Sequence, residues 1–287
     1  MQVNFFIVGA PKSGTTSLYK YLNQHHSISM SSIKEPNYFS SSEIIEQKLY
    51  YKTKPVSDLK KYHELFDFNN DSCLYGEASV SYLYYSDVAS KICSYNEKAK
   101  IIVILRDPVE RAISHYNMDK RLGFVKENLS SILDNASLKN HILYYQQYIQ
   151  LGFYYSQVKK YIDVFGKENV CVMLYDDLKK DNVKFTNEIL DFLQLDSDPN
   201  IDYETPYNSN KVSENKLINY LYSISIIRRL VVSMFPNSIL KKINKSLFSI
   251  KETNISQELE MKLFELFKDD ILLLEQMLNI DLNSWKR

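Results

Sequence analysis

The segment VNFFIVGAPKSGTTSLYKYL, residues 3–22, sets the architecture expected of the whole chain. Val3 to Val8 is almost entirely apolar, which suits a strand buried on both faces of a parallel sheet. Gly9-Ala10-Pro11-Lys12-Ser13-Gly14 cannot extend that strand. From Thr15 onward, Leu18 and Leu22 stand four apart on one helical face. Strand, tight loop and helix together gather backbone N–H groups at a helix N-terminus, where they bind an anion. Six glycines serve the entire chain, and two of them bracket this loop. The segment predicts a phosphate-like ligand.

The nucleotide-triphosphate loop, GxxxxGK[ST], is the nearest general pattern. Gly9 and Gly14 keep its separation, but Thr15 occupies the lysine position. Lys12 is the one lysine in the loop, two residues before the second glycine, where it reaches the distal group from the side. A phosphate-bearing donor without the usual magnesium–triphosphate geometry is expected.

Composition bounds the rest. The chain has 287 residues, enough for a substantial core in one large domain or two small ones. Its 35 basic and 35 acidic side chains balance, so no global field draws it to nucleic acid or an anionic membrane, and anion selectivity must be local. Cys73, Cys93 and Cys171 are far apart without metal spacing, which fits a reducing compartment. No basic leader precedes the first strand, and no run approaches the roughly 20 apolar residues of a membrane span. These features predict a soluble, cytoplasmic protein.

Working outward, Lys34-Glu35-Pro36-Asn37-Tyr38-Phe39 follows a polar stretch, and Pro36 pushes Glu35 out of helix into an extended or turning segment. Residues 50–66 read as a short helical excursion, and 74–85 as a strand, or a strand with a turn. Ile101 to Leu105 (IIVIL) is the clearest strand. It ends in Arg106-Asp107-Pro108, where Asp107 caps and Pro108 opens a helix to about Arg121. Residues 122–152 are expected as a polar surface excursion with some helix. A helix over 154–165 closed by Gly166, a strand over 170–174, a helix over 181–193 and a long packing helix over 257–278 complete the pattern. Strands alternating with helices predict an α/β fold: a three-layer, P-loop-like arrangement with a central, mostly parallel sheet. One domain over 1–287 is expected, with 223–287 as a helical part packing on the core and a candidate acceptor-side lid.

PKSGTTSLYKYL, KEPNYF, GEASVSYL and ILRDPVERAISHY, in that order, resemble the PAPS-dependent sulfotransferase family, in particular its carbohydrate (heparan-sulfate-type) branch and bacterial relatives. The resemblance runs from Val3 to about Leu195. It implies 3′-phosphoadenosine 5′-phosphosulfate (PAPS) as donor, adenosine 3′,5′-bisphosphate (PAP) as product and no metal. It also implies transfer of the sulfuryl group to a saccharide or glycolipid hydroxyl, less favourably an amine. By the same resemblance Lys12, Ser13, Gly14, Thr15 and Thr16 form the 5′-phosphosulfate loop, while Arg106 and Ser114 hold the 3′-phosphate. Lys12 would also stabilise charge growing on the bridging oxygen. Glu35 is the expected general base, with Glu77 as second choice. Ala78 departs from the pattern, standing where several heparan enzymes carry a lysine. Lys211, in Asn208-Ser-Asn-Lys211, is a further candidate cofactor contact.

Other readings stay open. Arg106 can pair with Asp107 or Glu110, and Glu35 with Lys34 or Lys12. Arg111 reads as a solvated residue, His25 and His26 as surface histidines, and His115 either as packing or as a neighbour of Ser114. Tyr38, Phe39, Tyr82, Tyr84 and Tyr85 suit either a sugar-stacking wall or a core. Residues 224–250 are basic and apolar by turns, like surface helices or a peripheral membrane contact. A P-loop small-molecule kinase with Asp107 on magnesium is one alternative function, and a non-catalytic adenosine-bisphosphate-binding module another.

Overall fold

The computed structural model describes residues 2–49, 51, 54–69, 73–136, 141–204, 212–213, 248–249 and 255–287. Five strands form one all-parallel sheet: β1 (Phe5–Gly9), β2 (Ile28–Met30), β3 (Leu74–Ala78), β4 (Lys100–Leu105) and β5 (Val170–Leu174). Their order across the sheet is β2-β3-β1-β4-β5, which puts β1 in the centre. Every residue of β1 is buried, as its unbroken apolar run requires.

Strand alternation sends side chains to two cores. Phe5 and Ile7 on β1, with Ile102 and Ile104 on β4, face α1 (Thr15–Leu22) and α10 (Asn182–Phe192), whose Leu18, Leu22, Phe185 and Ile189 close the smaller core. Phe6, Val8, Ile101, Val103 and Leu105 face the larger core. That core is closed by α4 (Val88–Tyr95), α5 (Pro108–Arg121), α8 (Tyr154–Phe165) and a long C-terminal helix, α11 (Gln257–Leu278). Each such side chain contributes roughly 1.5–3 kcal/mol on burial. Shorter helices connect these elements: α2 (Ser41–Gln47), α3 (Leu59–His63), α6 (Leu129–Asp134), α7 (Ile142–Tyr148) and α9 (Tyr175–Lys180). A two-stranded antiparallel pair joins Val212–Ser213 to Phe248–Ser249. Lys211 and nearly all of 224–250 lie outside the described residues.

Residues 122–152 depart from the expected surface excursion. Leu129, Ile132, Tyr148 and Ile149 are buried in the larger core. The cause is Arg111, read from the sequence as solvated but fully buried on α5. Its guanidinium donates to the backbone carbonyls of Gln147 (3.1 Å) and Tyr148, stapling α7 against α5. Tyr148 returns the contact, its hydroxyl donating to buried Asp119 at 2.9 Å. Polar residues turn inward here through hydrogen bonds to one another and to backbone carbonyls, with Arg111 Nε the atom of the guanidinium left without a partner among the described residues.

His25 also differs from the surface reading. It is buried, with Nδ1 accepting from the Ser27 amide (3.1 Å) and Nε2 donating to the Asp196 carbonyl (2.9 Å). Exposed His26 pairs with Asp198 at 2.9 Å, which together with the Asn200 amide holds that carboxyl below its ordinary range. These three side chains bring potential metal-binding atoms within 4.8 Å of one another, but both His25 ring nitrogens are already engaged.

Candidate active site

The β1–β4 pairing decides where the two predicted anion grips meet. Both strands run in one direction, with Ile7 opposite Ile102 and the Ala10 amide bonded to the Ile104 carbonyl at 2.7 Å, so the loop after β1 and the end of β4 open at one sheet edge. Ligands of open α/β sheets bind at such carboxyl ends. A cavity of about 530 Å³ lies there, within the usual range of roughly 300–1,000 Å³ for small-molecule sites. Lys12, Gly14, Thr15, Thr16, Glu35, Arg106 and Ser114 all line it. Ser13 does not; its side chain is fully buried beneath the loop, and its hydroxyl lacks a hydrogen-bond partner among the described residues.

The loop is shaped by backbone conformation. Gly14 caps α1 at φ 82°, and a Cβ there would lie 2.5 Å from Leu178 Cδ2 and 3.0 Å from the Tyr175 ring. Glycine is required twice over, by conformation and by space. The first N–H groups of α1 have no helical carbonyl to meet and are the natural donors to an anion. Lys12 adopts φ 71°, a region that side-chain-bearing residues enter at a cost of about 1–3 kcal/mol. Its ammonium sits 3.5 Å from Met118 Sδ on α5. Burial first, then the Arg121 and Arg106 cations, push Lys12 down to about 8, against the smaller pull of Asp119 and Glu35.

Arg106 stands at the end of β4. Its guanidinium lies 5.0 Å from the centre of the Tyr175 ring, donates to the Glu110 carboxylate at 2.9 Å and donates to the Lys12 carbonyl at 3.3 Å. The two grips are therefore hydrogen-bonded to each other. Ser114, two turns along α5, presents its side chain to the same cavity. Asp107, the magnesium ligand of the kinase alternative, is spent elsewhere. It caps α5 by accepting from the Val109 and Glu110 amides (2.8 and 3.4 Å) and pairs with Arg287 at 2.9 Å.

Glu35 is placed by β3. Its amide donates to the Ala78 carbonyl at the strand's end (2.8 Å), and the Asn37 amide donates to Ser79 Oγ (3.0 Å). Pro36 follows, and Glu35 turns at φ 64°, with its carboxylate on the cavity wall and paired to Lys34 at 2.6 Å. Glu77 lies elsewhere. It is fully buried and accepts from the hydroxyls of Tyr62 (2.6 Å), Ser79 (2.6 Å) and Tyr82 (3.2 Å), outside the cavity lining. Burial pushes its carboxyl up to about 7 despite those donors.

Phe39, Tyr82 and Tyr85 are buried in the larger core, with Tyr38 stacked on Tyr62 at 4.5 Å; Tyr85 also lines the cavity, together with the half-buried Tyr84. His115 also lines it. Its Nδ1 lies 3.4 Å from the Arg111 guanidinium and its Nε2 lies 2.7 Å from Tyr51 Oη, and Tyr51 donates on to Asp119 at 2.6 Å. Burial, with Arg111 and Lys12 nearby, holds His115 well below its ordinary range, as a neutral ring.

Lys34, Tyr51, Arg121 and Tyr175 are lining residues that sequence reasoning did not single out. Tyr175 had a signal, since an aromatic directly follows the apolar run 170–174 at a strand's carboxyl end. Arg121 had a weaker one, lying two turns beyond Ser114 on the same helix.

Strand ends carrying cations around one cavity define an α/β protein built to hold a polyanionic ligand. The chain belongs to the sulfotransferase domain family, whose model matches residues 2–277. It is 27% identical to a sulfotransferase from Alicyclobacillus acidocaldarius, whose crystal structure superposes with a TM-score of 0.70 over the full length of both chains. It is 26% identical over 245 residues to carbohydrate sulfotransferase 15 of Mus musculus, covering 67% of this chain and 44% of that protein. It is 34% identical over 131 residues to the membrane-associated sulfotransferase kil1 of Dictyostelium discoideum, covering 46% of this chain and 26% of that one. The chain thus spans less than half the length of these two curated relatives. Among the described residues no helix is long and apolar enough to cross a membrane.

Proposed function

We propose that this chain moves the sulfuryl group of PAPS to a hydroxyl of a saccharide or glycolipid. One observation carries the reading: Lys12 and Arg106, the two expected grips of a single adenosine donor, line one cavity 3.3 Å apart from carbonyl to guanidinium, with the Glu35 carboxylate on the same wall. Membership of the sulfotransferase domain family supports it. The residues present also suit the donor. The α1 amides, the Thr15 and Thr16 side chains and the Lys12 cation match a 5′-phosphosulfate, and the planar Arg106 fork with Ser114 matches a 3′-phosphate. The saccharide reading rests on the carbohydrate sulfotransferase relative and on the Tyr84 and Tyr85 wall.

In this mechanism Glu35 takes the proton of the acceptor hydroxyl, and Lys34, 2.6 Å away, holds that carboxylate in place. Lys12 neutralises charge that develops on the departing phosphate, where stabilisation lowers the barrier. Burial of the Lys12 ammonium strengthens that effect.

The test pairs PAP calorimetry with a radiolabelled-sulfate transfer screen over saccharides, glycolipids, phenols and amines. Glu35→Gln should lower transfer about 10²–10⁴-fold and leave PAP affinity nearly unchanged. A folded protein without affinity for PAP overturns the reading, and full transfer by Lys12→Ala overturns the mechanism. PAP binding without transfer to any acceptor would favour a binding module.

A further inference from the structure

The turn Arg106-Asp107-Pro108 is held from behind by the C-terminal segment, through contacts on two sides. Arg287 pairs with the Asp107 carboxylate at 2.9 Å, and its Nε lies 4.0 Å from Glu260 on α11. Tyr154, the fully buried first residue of α8, donates from its hydroxyl to the Arg106 carbonyl at 3.0 Å. Tyr154 is itself fixed by the C-terminal segment. Asp270 on α11 accepts from the Tyr154 and Tyr155 amides at 2.6 and 3.1 Å, and the buried Trp285 ring lies 6.2 Å from the Tyr154 ring. Lys286, anchored on Glu275 at 2.7 Å, ties the tail down between these points.

None of these groups lines the cavity; Tyr154 bonds the Arg106 carbonyl directly, Arg287 bonds the side chain of the next residue, and the others hold Tyr154 and the tail in place. The guanidinium direction follows from where the strand-to-helix turn sits. Displacing a binding group by even an ångström costs much of its effect. Asp107 needs no guanidinium in order to cap α5, because its two amide bonds do that alone. The Arg287 contact is therefore additional to helix formation, and it ties the turn to the far end of the chain.

We propose that Arg287 and Tyr154 are positioning residues for the 3′-phosphate grip, acting through the Arg106 backbone, so that the docked C-terminal segment sets donor affinity. This rests on the reading of Arg106 as that grip. The experiment is a binding cycle on the full chain by PAP calorimetry, with thermal unfolding as the folding check. Tyr154→Phe removes one hydroxyl and keeps the ring packing, and Arg287→Ala removes the other hold. Asp107→Asn preserves a capping side chain and deletes the charge that Arg287 meets.

Arg106→Ala should weaken PAP about a hundred-fold. Tyr154→Phe, Arg287→Ala and Asp107→Asn should each weaken it roughly three- to ten-fold, with Arg287→Lys recovering part of the loss. In the Arg106→Ala background the Tyr154 and Arg287 changes should have no further effect, whereas general loosening of the fold would add its full cost there. Unchanged PAP affinity in Tyr154→Phe and Arg287→Ala, with Arg106→Ala still impaired, overturns the positioning role alone. Additive losses in the double variants do the same. Unchanged affinity in Arg106→Ala overturns the reading of the grip and this proposal with it.

Discussion

Lys12 and Glu35 both sit at positive φ, at 71° and 64°, although neither is glycine. Each is held there by neighbours: Lys12 by the loop between β1 and α1, Glu35 by its amide bond to the end of β3. Such conformations persist where surrounding structure over-determines them, often at sites of function. The charge state of Lys12 is the sharper consequence. Its ammonium is pushed down to about 8 by burial and by Arg121 and Arg106, and an anion bound against it restores the charge. Binding of PAP should then take up part of a proton at pH 8.5 and none at pH 6.5. Affinity should fall as pH rises through 8, by at most about ten-fold per pH unit. Calorimetry in buffers of differing ionisation enthalpy reads the uptake directly. Lys12→Met should abolish it, and an uptake that survives that change would assign the proton elsewhere.

At the scale of elements, β1, β4, β5, α1, α8 and α11 were legible because each is a long, strongly patterned run with clear stop signals. The three residues of β2 were missed. Ile28-Ser29-Met30 is too short to show a period, and it forms a strand because β3 offers it a partner. The lining of the cavity was legible in its motif residues and less so in its supports. Ser13 reads as a ligand in sequence, but the turn rotates its hydroxyl under the loop. Arg111 reads as solvent-facing, because charge on a helix normally is, and only the carbonyls of Gln147 and Tyr148 explain its burial. Its role as a staple between α5 and α7 gives a direct expectation. Arg111→Met keeps the bulk and removes the shared donor to the buried Gln147 and Tyr148 carbonyls, which should cost about 2–4 kcal/mol in urea unfolding. PAP affinity should weaken as well, since His115, Gln146 and Gln147 of the cavity wall depend on that contact. A variant as stable as the parent would show that water or a backbone shift replaces the staple.

For the molecule as a whole, stability against pH should have two limbs set by different carboxyls. Glu43 and Glu275 are held below their ordinary values by hydrogen bonds from Lys91 and Lys286 that outweigh desolvation, so their contribution is present near neutrality and lost as pH falls through their folded values. Both pairs are partly exposed, and their effect is small. Glu77 has the opposite sign. Burial raises it from 4.5 to about 7, so between those values the folded chain keeps a proton that the unfolded chain releases. Stability from this group is fully present below pH 4.5 and is lost as pH rises through 7, by about 3 kcal/mol at most. Glu77→Gln retains the shape without that titration: its Oε1 can accept from Tyr62 and Tyr82 while its amide donates to the Ser79 hydroxyl oxygen. It should match the parent near pH 5 and exceed it by about 2–3 kcal/mol at pH 8 in urea unfolding. Because Glu77 lies outside the cavity lining, PAP affinity at pH 6.5 should be unaltered. Parallel stability curves for the two proteins would mean that Glu77 titrates near its ordinary value, with water reaching it through the Tyr62 and Tyr82 shell.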